Sequence, residues 1–207
     1  MSIYKADSRK MSEHLTTKEL VKYFPPEVRE RALRYKFARD ARNFITGRQL
    51  LLRGLRDCGS EEKLTDIRYT EAKKPYLPHT HFSISHSDTQ VVCALTQGGE
   101  IGIDTEKIKS INLTDFTAFF TERERADIHA AAQPLQRFFW YWTRKESIIK
   151  AAGLTLGHLH ELAIKADCDR FTYQDKNWYL QDWEAGTGYI GAICTERRIT
   201  DFRMTNC

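Results

Sequence analysis

From Val28 to Leu55 the apolar residues Val28, Leu33, Phe37, Ala41, Phe44, Ile45, Leu50 to Leu52 and Leu55 return at three-to-four spacing, the period of a helix with one buried face. Pro25-Pro26 suits the start of this pattern and Cys58-Gly59-Ser60 its end, while Gly47 predicts a break into two helices. The period then changes. Residues 67 to 100 are punctuated by Lys74-Pro75 and Leu77-Pro78, Phe82-Ser-Ile-Ser-His86 alternates, and Gln90 to Thr96 is a near-continuous apolar run, all signs of short strands. Gly98-Gly99 predicts a hairpin turn into the alternating segment Ile101-Gly-Ile-Asp-Thr-Glu106. Phe138 to Ala152 is a strong helical stretch, and residues 162 to 204 return to strands rich in Phe, Tyr, Trp and Ile.

The order of helix then strands, twice over, predicts an α+β protein. A short internal repeat supports two similar halves. A shift of 97 residues aligns Thr46-Gly-Arg-Gln-Leu-Leu-Leu-Arg53 with Thr143-Arg-Lys-Glu-Ser-Ile-Ile-Lys150, and a shift of 99 aligns Val91–Thr96 with Ile190–Thr195. We therefore expect two α+β lobes, residues 1–100 and 101–207, related by a pseudo-twofold axis with a ligand cleft between them.

Composition narrows the class. The 207 residues are 41% hydrophobic and 29% charged with 11 Gly and 5 Pro, which excludes disordered and collagen-like chains. There is no apolar run of membrane-spanning length and no signal-peptide pattern at the start, so a cytoplasmic protein with no membrane contact is expected. Five widely spaced cysteines with no Cys-x-x-Cys argue against a disulfide framework or a zinc ribbon, and Cys93 and Cys194, each in an apolar run, are expected in the core. The positive charge lies in the first half: 18 basic against 13 acidic residues in 1–100, and 14 against 15 in 101–207. Between residues 29 and 56 nine basic side chains face only Glu30 and Asp40, a field suited to an anionic ligand.

Three constellations could carry chemistry. Asp104 and Glu106 lie two apart in an alternating segment, so both carboxylates emerge on one face of a strand. Two such acids repel unless a cation lies between them, and an all-oxygen set favours Mg²⁺. Trp142, Glu146, Ile149, Lys150 and Gly153 share a helical stripe, which sets an acid and a base on an otherwise apolar face. That pair is either a surface ion pair or, with a metal on Asp104 and Glu106, a third carboxylate ligand and a phosphate contact. In the third, Lys74-Pro75 precedes Ser83-Ile-Ser-His-Ser87, where Ser85 and His86 are neighbours on a strand and point to opposite faces. A nucleophile and its base are therefore not provided there. The group suits contacts to an adenine nucleotide and its phosphates, against the alternative of a buried structural histidine.

Lys74-Pro75, Phe82-Ser-Ile-Ser-His-Ser87, Ile101-Gly-Ile-Asp-Thr-Glu106 and Trp142-Thr-Arg-Lys-Glu-Ser-Ile-Ile-Lys150, in this order, resemble the signature of the Sfp-type 4′-phosphopantetheinyl transferases. The resemblance covers the whole chain. It implies a monomeric two-lobed enzyme that moves the phosphopantetheine arm of coenzyme A onto a serine of an apo acyl or peptidyl carrier protein, releasing adenosine 3′,5′-bisphosphate. It also implies that Asp104, Glu106 and Glu146 hold Mg²⁺, that Lys145 and Lys150 meet the pyrophosphate, and that Lys74, Ser85 and His86 bind the nucleotide, with His86 at the 3′-phosphate. Arg31 and Arg42 stand where the family offers basic residues to that phosphate, with Arg48 and Arg53 as further candidates. Glu146 or Glu124 would accept the serine proton. Val28 and Thr105 depart from the usual pattern, where relatives carry a basic and an aliphatic residue.

Two other functions are compatible with parts of the chain. A nucleic-acid-binding helical face over residues 29–56 would use the basic run with Tyr35, Phe37 and Phe44, but leaves the acidic trio without a role. A Mg²⁺-dependent pyrophosphohydrolase acting on coenzyme A or a nucleotide would use the trio, with water in place of the carrier serine.

Overall fold

Alternating apolar positions build two four-stranded sheets, each covered by one long helix. The computed structural model describes residues 1–10, 15–199 and 201–207. Two units emerge, Met1–Gly98 with Asp201–Cys207, and Gly99–Thr200.

In the first unit, β1 (Ser2–Asp7) is followed by α1 (Thr17–Leu20), α2 (Pro26–Leu33) and α3 (Ala38–Asp57), then β2 (Arg68–Tyr69), β3 (Pro75–Tyr76), β4 (His81–Ser87) and β5 (Gln90–Thr96). In the second unit, β6 (Ile101–Lys107) precedes α4 (Glu122–Ala130) and α5 (Pro134–Ala152), then β7 (Arg170–Tyr173), β8 (Lys176–Asp182) and β9 (Tyr189–Thr195); β10 (Arg203–Asn206) follows. The first sheet has the order β10-β1-β5-β4, the second β6-β9-β8-β7, and β2 and β3 form a separate ribbon. Apart from β1 and β10, which run parallel, every pairing is antiparallel.

Both units share one plan: a strand, a long helix, and a hairpin whose second strand pairs with the first. In the first unit these are β1, α3 and β4-β5, and in the second β6, α5 and β8-β9. The two windows of the internal repeat fall on α3 with α5 and on β5 with β9, as expected of two α+β halves. The first core gathers Leu51, Leu55, Leu77, Phe82, Val91 and Cys93, and the second Phe138, Phe139, Ile148, Leu159, Trp178 and Cys194. Cys93 and Cys194 are both fully buried, as their apolar runs predict.

Two local expectations need correction, and one strand was missed. The helical pattern divides at residues 34–37, not at Gly47, which lies inside the unbroken α3. Glycine serves there for close approach, since a Cβ would come 2.9 Å from Ile84 Cγ2. Gly98-Gly99 is not a hairpin turn: β5 pairs with β1 and β4, and β6 with β9. The strand at the very start of the chain, and its pairing with β10, had no clear signal because Ser2–Asp7 is short and mixed in polarity. Among the described residues no helix is long and apolar enough to cross a membrane.

Candidate active site

Strand alternation sets the site. Gly102, Asp104 and Glu106 alternate with Ile101, Ile103 and Thr105 along β6, and the first set faces α5. At Gly102 the helix comes so near that any Cβ would overlap the Ser147 carbonyl oxygen and the Ala151 nitrogen. Helix α5 begins with Pro134 in its first turn, where a missing N–H costs nothing. Aromatic contacts hold it in place: Trp142 stacks on Phe138 at 5.9 Å and meets Phe116 edge-on at 5.6 Å.

From this helix Glu146 and Lys150 reach the acids of β6. Lys150 Nζ donates to Asp104 Oδ1 at 2.6 Å, with the Asp104 side chain only 3% exposed. Burial by itself would depress Lys150, but the charges of Asp104 and Glu146 outweigh it and hold the ammonium above its ordinary pKa. Glu146 responds in the opposite sense. Burial pushes its carboxyl up to about 7, opposed by the attraction of Lys150 and helped by repulsion from Asp104 and Glu106. Asp104, Glu106 and Glu146 thus lie within electrostatic reach of the Lys150 ammonium.

The chemistry of these side chains is the test for a metal. The donors are all hard carboxylate oxygens, and a divalent cation would favour the ionised form of Glu146 against the burial that raises it, so the residue types suit Mg²⁺. Among the described residues no three His, Cys, Asp or Glu side chains are grouped so that they could hold a metal ion; the Lys150 ammonium lies against Asp104.

Lys145 has a different place from the one expected. Its side chain is fully buried, and its ammonium lies 2.8 Å from Glu124 Oε2 while donating to the Phe119 and Leu159 carbonyls at 2.9 and 3.0 Å. An ammonium has three hydrogens, and all are spent inside the unit, so contact with a pyrophosphate is not carried forward. Burial pulls its pKa down and Glu124 opposes the shift. Glu124 is equally committed. It accepts from the backbone N–H groups of Thr121 and Ile164 as well, closing the N-terminal cap of α4. Neither the proton-acceptor role for Glu124 nor the ligand role for Lys145 fits this enclosure, which the sequence concealed because both residues look like surface charges.

The basic set lies in the first unit. Arg31 donates to the Tyr69 hydroxyl at 3.0 Å and sits 5.0 Å from the Phe44 ring centre. Arg48, on the same ring at 5.0 Å, is only 5% exposed. Burial lowers the Arg48 pKa, with the Arg31 charge adding to the effect and Tyr69 opposing it. Two guanidinium groups thus share one aromatic ring, a costly arrangement that an anion would relieve. Arg42 is half-buried, and its Nε finds no hydrogen-bond acceptor among the described residues. Arg53 is tied to Asp57 at 3.2 Å. Sequence reasoning left Arg48 among the further candidates; its burial beside Phe44 moves it forward.

On β4, Ser85 is buried and His86 exposed, on opposite faces as alternation requires. The buried structural histidine is thereby excluded. Lys74, half-buried, precedes β3.

Comparison with known proteins assigns the family. Residues 100–199 match the model of the 4′-phosphopantetheinyl transferase superfamily. The chain is 31% identical over 185 residues to the 4′-phosphopantetheinyl transferase Sfp of Bacillus subtilis, covering 83% of this chain and 82% of the relative. It is 28% identical over 194 residues to the 4′-phosphopantetheinyl transferase ffp of Bacillus subtilis, covering 87% and 86%, and 30% identical over 185 residues to psf-1 of Bacillus pumilus, covering 83% and 78%. A carboxylate trio around one lysine, built on a fold of two α+β halves, is thus found in a chain that belongs to the 4′-phosphopantetheinyl transferase family and is an enzyme of that activity.

Proposed function

We propose that the enzyme transfers the phosphopantetheine arm of coenzyme A to a serine hydroxyl of an apo acyl or peptidyl carrier protein, with the β6–α5 acid cluster as its reaction centre. The observation that supports this reading most is the ion pair of Lys150 with Asp104 at 2.6 Å, with Glu146 and Glu106 near enough to feel its charge. Asp104, Glu106 and Glu146 would hold Mg²⁺, which when bound neutralises charge on the pyrophosphate oxygens. Lys150 supplies a fixed positive charge beside them, aimed at the charge that develops on the bridging oxygen. The serine oxygen forms a bond to the phosphorus that carries pantetheine. The bond from that phosphorus to the bridging oxygen breaks, and its electron pair leaves on adenosine 3′,5′-bisphosphate.

The serine proton must go to a nearby base. With Glu124 occupied by Lys145 and two backbone N–H groups, Glu146 is the candidate that remains. In the first unit, Arg31, Arg42 and Arg48 offer positive charge to the 3′-phosphate, with His86 in the same role and Lys74 and Ser85 on the nucleotide. An acidic carrier surface would complement the positive charge of residues 29–56.

The test is the intact mass of a panel of apo carrier proteins after incubation with enzyme, coenzyme A and Mg²⁺. A gain of one phosphopantetheine group, abolished by a chelator, is expected. Release of adenosine 3′,5′-bisphosphate without any carrier would instead identify a pyrophosphohydrolase.

A further inference from the structure

Asp104 is held from behind as well as from the helix side. Gly191 pairs with Thr105 across β6 and β9, so its missing side chain lies on the sheet face turned away from the Asp104 carboxylate. The Trp183 indole fills that position. A Cβ at 191 would overlap the indole Nε1, Cε2 and Cζ2 together. The Trp183 backbone N–H donates to the Gly191 carbonyl at 3.2 Å, and the indole Nε1–H crosses β9 to donate to the Asp104 carbonyl at 3.3 Å. Trp183 is only 6% exposed, so this bond is made away from competing water.

We infer that Trp183, seated on Gly191, is a positioning residue that fixes the β6 backbone at Asp104 and thereby the direction of its carboxylate. The inference rests on the assignment of Asp104 to a metal site. Its physical basis is that a carboxylate ligand can be no better placed than the backbone from which it hangs. Lys150 fixes one oxygen of Asp104 from the helix side, and the indole fixes the peptide from the other. Trp183 also borders a cavity of about 640 Å³ lined by Trp140, Tyr189 and Ile190.

The experiment measures Mn²⁺ binding, as a surrogate for Mg²⁺, by electron paramagnetic resonance in the presence of coenzyme A and without carrier protein. Trp183→Phe keeps an aromatic cover and removes the donor; Gly191→Ala keeps the donor and displaces the ring. Each is expected to weaken Mn²⁺ binding about 10-fold, the usual scale for the shell around a metal ligand, with folding verified by circular dichroism. The double variant should bind no more weakly than Gly191→Ala alone, since both changes remove the same bond. Asp104→Asn is the reference. If it loses Mn²⁺ while Trp183→Phe binds as tightly as the unmodified enzyme, the positioning role is refuted and the metal assignment survives. If Asp104→Asn binds Mn²⁺ normally, both fall.

Discussion

The two units solve the same packing problem with different chemistry. Through the register of β1 with β5 and of β6 with β9, together with the repeat shift, Tyr4 and Ala6 occupy the positions of Asp104 and Glu106. Along the helices, Gln49 and Arg53 correspond to Glu146 and Lys150. In the first unit this region is neutral or paired. Ala6 is buried, the Tyr4 hydroxyl donates to Asp57 at 3.0 Å, and Arg53 meets the same carboxylate. Burial and Asp57 together push the Tyr4 hydroxyl up to about 12, so it stays protonated and makes an uncharged close. In the second unit three carboxylates gather on one lysine. Strand, helix and hairpin form in the first unit without any of these acids, so the shared packing plan does not require them.

The comparison breaks most directly at the acids themselves. Asp104→Ala and Glu146→Ala should each lower transfer by at least about 10²-fold, the scale of a lost charge-stabilising group, with circular dichroism unchanged. Full activity in the Asp104 variant would sink the metal assignment. A buried charge that does serve the fold should behave in the opposite way. Lys145→Ala strands Glu124 and should destabilise the protein by about 3–5 kcal/mol in urea unfolding.

Smaller effects sharpen the picture. Lys150→Ala is expected to lower kcat about 10-fold or more while changing the KM for coenzyme A less, because its charge acts mainly on the leaving oxygen. In the first unit, His86→Ala and Arg48→Ala should raise the KM for coenzyme A about 10-fold, equivalent to about 1.4 kcal/mol. The KM for 3′-dephospho-coenzyme A should stay unchanged, and equal losses with both ligands would refute a 3′-phosphate contact. The smallest effect concerns acid stability. Asp127 is held below the ordinary carboxylate range first by its hydrogen bond from Arg137 Nε at 2.6 Å, then by one from Tyr141. A depressed folded-state pKa gives stability that is present above the ordinary carboxylate value and lost as pH falls through the lowered one. Asp127→Asn should therefore flatten the acid limb of the stability curve, and because the pair is partly exposed the change should be slight.

The sequence alone marked the long helices and most of the strands, though not β1, and singled out Asp104, Glu106 and Glu146 as candidates. Periodicity marked α5 and the alternating strands, and the spacing of Asp104 and Glu106 placed both on one strand face, because local period is a property of consecutive residues. Tertiary structure decided what the remaining charges do. Lys145 and Lys150 are five residues apart on the same helix, yet one is sealed with Glu124 and the other meets Asp104. Arg48 and Arg53 lie equally close on α3, yet one is buried on Phe44 and the other pairs with Asp57. On α3 the partners Phe44 and Asp57 lie one helical turn from Arg48 and Arg53, within reach of a local pattern, whereas on α5 Glu124 and Asp104 lie tens of residues from Lys145 and Lys150, and only packing brings them together.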